Sequence, residues 1–303
     1  MSERDPNPEV GKMQMKFCAR WSLVRYVPAV LILVSLGLPA AAENPPVKKN
    51  ISRLQNIGLC NGVDRTSPEQ QINGCTALIA SGNETATVLA VAYNNRGDAY
   101  VAKGDYDLAI QDYDQSIKLN PAYAKPFNNR GVAYQRKNEY DRAIRDLDEA
   151  IRLNPNYAIA IVNRAETYQK ANEFDRAAPD YDEAIRLEPN LEGVRNGRCW
   201  NRAILGELQA ALEDCNEALR LKPKDAATYD SRGLTYLKMG QLDLAIDDYS
   251  SALRFEPKLA SALYGRGLAK LKKGDTNGGD ADLAAAKTID AKVGDDFTRY
   301  GVQ

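Results

Sequence analysis

Apolar and polar positions recur along residues 90–293 with a period of 34. Each period holds two stretches with helical spacing. In the second period, 124–157, these run near Lys125–Arg136 and Tyr140–Leu153. Gly or Asn separates the stretches every time, at Gly104, Asn138, Asn172, Gly206, Gly240 and Gly274. These residues tolerate the left-handed backbone that ends a helix. Asp105, Glu139 and Glu173 follow, where negative charge favours the start of a helix. Pro121, Pro155, Pro189, Pro223 and Pro257 close five periods and stop the second helix. The pattern predicts helix pairs stacked on their neighbours into one elongated body.

Two charged columns run through the same register. Arg96, Arg130, Arg164, Arg198, Arg232 and Arg266 form one. Asp112, Asp146, Asp180, Asp214, Asp248 and Asp282 form the other. A guanidinium can grip a carboxylate with two parallel hydrogen bonds. The columns are therefore expected to form a structural ladder between packed helices, with binding of an anionic ligand as the alternative.

The repeat resembles the tetratricopeptide repeat family. The first unit carries Tyr93, Gly97, Tyr100, Ala109, Tyr113 and Pro121 at the family's positions, with Ser116 in place of Ala. The second carries Phe127, Gly131, Tyr134, Ala143, Leu147, Ala150 and Pro155. The fifth carries Tyr229, Gly233, Tyr236, Ala245, Tyr249, Ala252 and Pro257. The Arg column departs from the family, which usually has Leu there. The resemblance implies an all-α fold, a right-handed superhelical α-solenoid of antiparallel helix pairs. Its units are 90–123, 124–157, 158–191, 192–225, 226–259 and 260–293. The third unit has Ala165 in the Gly position and Pro179 early in its second helix, where a kink or late start is expected. The fourth is the most irregular, with Arg195, Cys199 and Arg202 in place of a large residue, Gly and Tyr. The degenerate sixth unit and a short helix over 294–303, with Phe297 and Tyr300, read as a C-terminal cap.

In this family the first helices line a concave groove that takes a protein or peptide. In the first three units the matching positions are Asn94, Asp98, Asn128, Gln135, Glu166 and Gln169, which are polar and rich in amides. In the last three they are Trp200, Ile204, Leu234, Leu237, Tyr264, Leu268 and Leu271, which are apolar. Asn pairs can hold a peptide backbone. An apolar section suits a hydrophobic or helical segment, with Trp200 as its anchor. The alternatives are that Phe297 and Tyr300 fold onto the apolar part, or that two chains pair there.

The N-terminal part adds a location. Lys16, Arg20 and Arg25 precede an apolar run from Val27 to Leu38, which ends in Pro39-Ala40-Ala41-Ala42. These are the parts of a secretory signal peptide over residues 1–42, with cleavage expected after Ala42. Met13 and Met15 are alternative starts. An uncleaved leader would be the one link to a membrane. Residues 43–89 then hold a polar lead-in and a partial repeat. The combination resembles exported repeat proteins of Gram-negative bacteria, which implies a periplasmic or secreted location. A eukaryotic source would instead make Asn50 and Asn83 glycosylation candidates.

Past the leader stand Cys60, Cys75, Cys199 and Cys215, which allow three pairings. The register places Cys199 in the Gly column of the first helix and Cys215 opposite it on the second. Aligning Ile72 with Ile144 puts Cys75 in the Cys215 column. The expected disulfides are Cys60–Cys75 and Cys199–Cys215.

Composition narrows the chemistry. The chain has 303 residues, 27% charged, with a formal net charge of -1 and no histidine. No basic excess points to nucleic acid, and His-based acid–base catalysis and His metal ligation are absent. No cofactor, metal or catalytic residue is expected. The leading function is a non-catalytic adaptor that binds protein or peptide in the groove. A self-assembling structural component, with a homodimer as its simplest form, is the first alternative. An accessory that binds envelope carbohydrate is the second.

Overall fold

The computed structural model describes residues 52–63 and 66–302. The signal-peptide segment and the start of the lead-in lie outside them. Among the described residues there are fifteen α-helices and no strand. α1 (Arg53–Cys60) and α2 (Pro68–Ala80) form a helix pair ahead of the first full unit. The six units follow as α3 (Ala86–Lys103) with α4 (Tyr106–Leu119), α5 (Ala124–Arg136) with α6 (Tyr140–Leu153), and α7 (Ala158–Lys170) with α8 (Phe174–Leu187). Then come α9 (Val194–Leu205) with α10 (Leu208–Leu221), α11 (Ala226–Lys238) with α12 (Leu242–Phe255), and α13 (Ala260–Lys272) with α14 (Thr276–Ile289). α15 (Val293–Arg299) is the last helix.

The punctuation has physical causes. Asn138 and Asn172 sit at φ 61° and 63°, and Gly104, Gly206, Gly240 and Gly274 at φ 73–90°, so each helix pair turns through a left-handed residue. Pro179 neither delays nor divides its helix: α8 begins at Phe174 and runs to Leu187, in register with the second helices of the other units. The ring lies on the exposed face. The carbonyl one turn earlier, that of Asp175, is also on an exposed residue, where water can serve it.

Each Arg of the column forks onto the Asp of its own unit. Nε and Nη2 donate to the two carboxylate oxygens at 2.5–2.8 Å in all six units. The remaining Nη1 reaches the preceding helix pair. It donates to Thr76, Asp114, Asp148, Asp182, Asn216 and Ser250 in turn. One side chain thus ties a unit to itself and to its predecessor. The six Asp residues are buried, and the Asp180 hydrogen bonds push the Arg164 pKa up against the opposing effect of burial.

Small and large residues trade places across the helix pairs. A Cβ on Gly97 would lie 2.6 Å from the Tyr113 ring, so glycine is required there. In the fourth unit both facing positions are Cys. Cys199 and Cys215 form a disulfide with Cα atoms 5.4 Å apart. Cys60 and Cys75 form the other, at 4.6 Å, between α1 and α2. Arg195 stands where the other units place Tyr93, Phe127, Ile161, Tyr229 and Leu263. A hollow of about 510 Å³ opens beside it, between the 190–193 loop, the end of α10 and the start of α11.

The fork yields a graded prediction. Arg164→Ala leaves Asp180 buried without its partner and lowers stability by about 2–4 kcal/mol. Asp148→Ala removes only the half-exposed end of the bridge and costs less than about 1 kcal/mol. Urea unfolding of the two variants beside the parent checks this order.

Candidate functional site: the concave face and its C-terminal cover

Successive first helices touch one another along the stack, whereas successive second helices do not. The first helices therefore line the inside of the curve, and the sequence-derived groove positions can be placed on it.

The amide-rich half is largely bonded to itself. Asn94, Asn128 and Gln135 are buried. Asn129 donates to Asn94 Oδ1 at 3.1 Å and to Asp98 Oδ1 at 2.7 Å. Asn128 donates to Asn129 at 2.9 Å, and Asn163 donates to Asn128 at 2.8 Å. Asn95 donates to Asn61 at 3.1 Å. Gln135 donates to Thr167 of the next unit at 2.9 Å. These amides form a rail from unit to unit, so Asn94, Asn128 and Gln135 are not free to hold a peptide backbone. The column Asn61, Asn95, Asn129 and Asn163 is what the groove assignment missed, although its 34-residue spacing stands in the sequence. The rail ends at Val162. Further along, Asn196 Oδ1 is buried with no partner, because the shorter Ser231 takes the place of its amide donor.

Accessible chemistry begins in the middle of the groove. Glu166 is an exposed residue, yet within the concavity partial loss of water pushes its carboxyl up while Lys170 and Arg136 draw it back. Gln169 accepts from the Tyr181 hydroxyl at 2.8 Å and donates to the Gly197 carbonyl at 3.0 Å, so both ends of its amide are fixed. Glu166, Gln169, Lys170 and Asn172 share a hollow of about 330 Å³ with Trp200, Arg299 and Tyr300. It is smaller than the hollow beside Arg195, but it lies on the concave face and joins charge, amide and aromatic surface. Asp98 is half-buried, held by Asn129 and Tyr113 and by Lys125 at 3.3 Å.

The apolar half is covered. α15 lies against α13, and its end reaches across to α9. The Phe297 ring is 4.9 Å from that of Tyr264, and the Tyr300 ring meets Trp200 edge-on at 5.2 Å. Lys238 Nζ donates to the Tyr300 carbonyl at 2.9 Å and to the Ile204 carbonyl at 3.1 Å. Arg299 donates to Asn172 at 3.0 Å, across 127 residues of sequence. Leu234 and Leu237 are buried in the same cluster as Val293, Phe297 and Val302, with Ile204, Tyr264 and Leu268 packed at its margin. Leu271 is turned toward Gly279 of α14 and belongs to its own helix pair. Leu234 and Leu237 are thus core, and the half-buried Leu271 is engaged within its own helix pair, so none of the three is open groove. Of the seven apolar positions, Trp200 alone also lines the open mid-groove hollow.

Asp230 belongs to α11, one of the helices under this cover. Its Oδ2 accepts from Ser261 at 2.7 Å, while Oδ1 is buried without a partner, as is the Tyr249 hydroxyl. Burial pushes the Asp230 carboxyl up to about 7; the Ser261 hydrogen bond works against this and Glu256 adds to it. No group of three or more acidic, Cys or His residues suited to a metal ion occurs among the described residues.

Family models match most of the repeat array. A TPR repeat model covers 97–138 and 233–274, and tetratricopeptide repeat models cover 124–157 and 162–226. The chain belongs to the tetratricopeptide repeat family. Solved TPR structures share the fold. A tetratricopeptide repeat protein from Parabacteroides merdae ATCC 43184 matches with a TM-score of 0.63 at 17% identity, over 82% of this chain and 98% of that one. The Cut9–Hcn1 hetero-tetramer of the APC/C contains a chain that matches at 0.66 and 18%, over 84% of this chain and 49% of that one. YrrB, described as a TPR protein with an unusual peptide-binding site, matches at 0.51 and 20%, over 63% and 96%. No curated protein sequence matches the chain. The TPR fold is that of a protein-interaction scaffold.

The buried carboxylate supplies a pH test with a definite sign. Asp230 titrates at about 7 folded against 3.8 as the ordinary value. The folded state therefore holds the extra proton between these values. The penalty for ionising Asp230 is absent below about pH 4, grows as pH rises, and is complete above about 7. Asp230→Asn should raise stability at pH 8 by on the order of 2 kcal/mol and change it little at pH 4. Thermal melts of both chains at the two pH values check it.

Proposed function

We propose that this TPR chain is an exported, non-catalytic adaptor that binds a protein or peptide along its concave face. The observation that carries the reading is the mid-groove hollow. It presents an indole wall, a fixed carboxamide and a desolvated carboxylate within one concavity. A peptide can place an apolar side chain on Trp200 and offer a cationic side chain to Glu166, while Gln169, held by Tyr181, Gly197 and Asn201, keeps its place in the lining. The buried Asn rail below supports the role by fixing the spacing of the first helices, so the surface is ordered before a partner arrives.

Export is part of the same proposal. Its support is the sequence of residues 1–42 together with two disulfides, which persist in oxidising compartments. Among TPR structures of like fold, YrrB is described with a peptide-binding site and Cut9–Hcn1 as a hetero-tetramer. Both descriptions are in keeping with a scaffold for protein ligands.

Crosslinking and pull-down from the exported fraction test the reading. Glu166→Lys, at an exposed site, should reduce capture of a defined partner at least tenfold and leave the melting temperature within about 2 °C. Leu221→Ser, at the hollow beside Arg195, should leave capture unchanged. Equal capture by parent and Glu166→Lys, or recovery of the chain itself as the sole product, would overturn it.

A further inference from the structure

The last helix departs from the repeat it belongs to. In register, Val293 follows Leu259, Phe297 follows Leu263 and Gly301 follows Gly267, so the sequence continues as the first helix of a seventh unit. The chain does not stack there. α15 makes only slight contact with α14 and turns inward over α13. Its end then reaches Trp200 of the fourth unit and Asn172 of the third. It lies where a partner of the concave face would lie.

We propose that residues 293–302 are a resident ligand of the apolar half-groove, and that the groove's true occupant is a partner helix of the same chemistry, which displaces them. The proposal rests on the scaffold reading above and adds the regulation of its site. The chemistry of the occupant is read from the segment itself. Two aromatic side chains stand one turn apart, Phe297 against Tyr264 and Tyr300 against Trp200. A main-chain carbonyl at the end of the helix meets Lys238.

Three features make the cover exchangeable. First, α15 has seven residues and ends at Gly301 with φ 74°. A helix this short is not stable alone in water, so its order depends on the groove. Second, the link from α14 is the three residues 290–292, and the segment makes only slight contact with α14. Third, Asp230 Oδ1 is buried without a partner on α11, one of the helices the segment covers. The partner helix gains by bringing a donor to that oxygen, a hydrogen bond the resident segment does not make. Tethering gives the resident an effective concentration on the order of millimolar. An untethered copy of the same sequence therefore competes poorly with it.

The probe is a labelled synthetic peptide of residues 291–303, measured by fluorescence anisotropy against the full chain. The parent should bind it only near millimolar concentration. Tyr300→Ser and Phe297→Ser/Tyr300→Ser should bind it at least tenfold more tightly, and a peptide with both aromatics changed to Ser should not bind either. Tyr300 is half-buried, so the single variant guards against collapse of the last unit, and far-UV circular dichroism confirms that both variants remain helical. Equal binding by parent and variants, or binding that ignores the peptide's aromatics, would overturn the proposal. So would a parent that runs as a dimer with the segment exchanged between copies. The probe is the chain's own segment, so failure here leaves the scaffold reading standing. Failure to capture any partner in the pull-down leaves self-occupancy standing.

Discussion

The arginine fork is the contact on which the rest of the solenoid depends. One planar guanidinium closes its own helix pair onto a buried aspartate and reaches the preceding unit with its third nitrogen. Lysine has the charge but not the geometry for both tasks. Because the fork recurs in all six units, the angle within a pair and the offset between pairs are set together. The asparagine rail requires that offset: Asn129 meets Asn94, and Asn163 meets Asn128, only if consecutive first helices keep the same stagger. An exposed ion pair would contribute little. Here each aspartate is buried, and losing its arginine would strand a charge.

The fork continues through the fourth unit, but the packing around it changes there. Gly gives way to Cys199 and the large residue to Arg195, one unit after the rail stops at Val162. What the unit loses in packing between its helices, the disulfide partly restores by covalent constraint. The same unit carries Trp200, the only aromatic side chain shared by the mid-groove hollow and the self-covered half, apart from Tyr300 of the cover. The molecule therefore has a polar, internally bonded half, an open junction, and an apolar half filled by its own last residues.

The 34-residue period made the helices legible. The stretches read near Lys125–Arg136 and Tyr140–Leu153 correspond to α5 and α6, since caps, turns and apolar spacing are local properties. The period could not say which polar side chains on the concave face are free. Asn94 and Asn128 look like ligand-holding amides, but their partners lie one unit away in Asn129 and Asn163, and only the stagger decides that they meet. Leu271 falls in a groove column, yet Gly278-Gly279 lets α14 approach and draws it inward. Pro179 suggested a disturbed helix, but its exposed position leaves the lost hydrogen bond to water. Phe297 and Tyr300 announced a cap, while the direction of their helix depended on an apolar surface assembled from α9, α11 and α13.

Native-state hydrogen exchange on the full chain tests the central claim, that the forks make the units one mechanical body. If each guanidinium couples a unit to its predecessor, the slow amides of α4 to α13 open together, with closely similar free energies, and those of α15 open well below them. First and second helices that exchange unit by unit, with free energies differing by several kcal/mol between neighbours, would contradict the account.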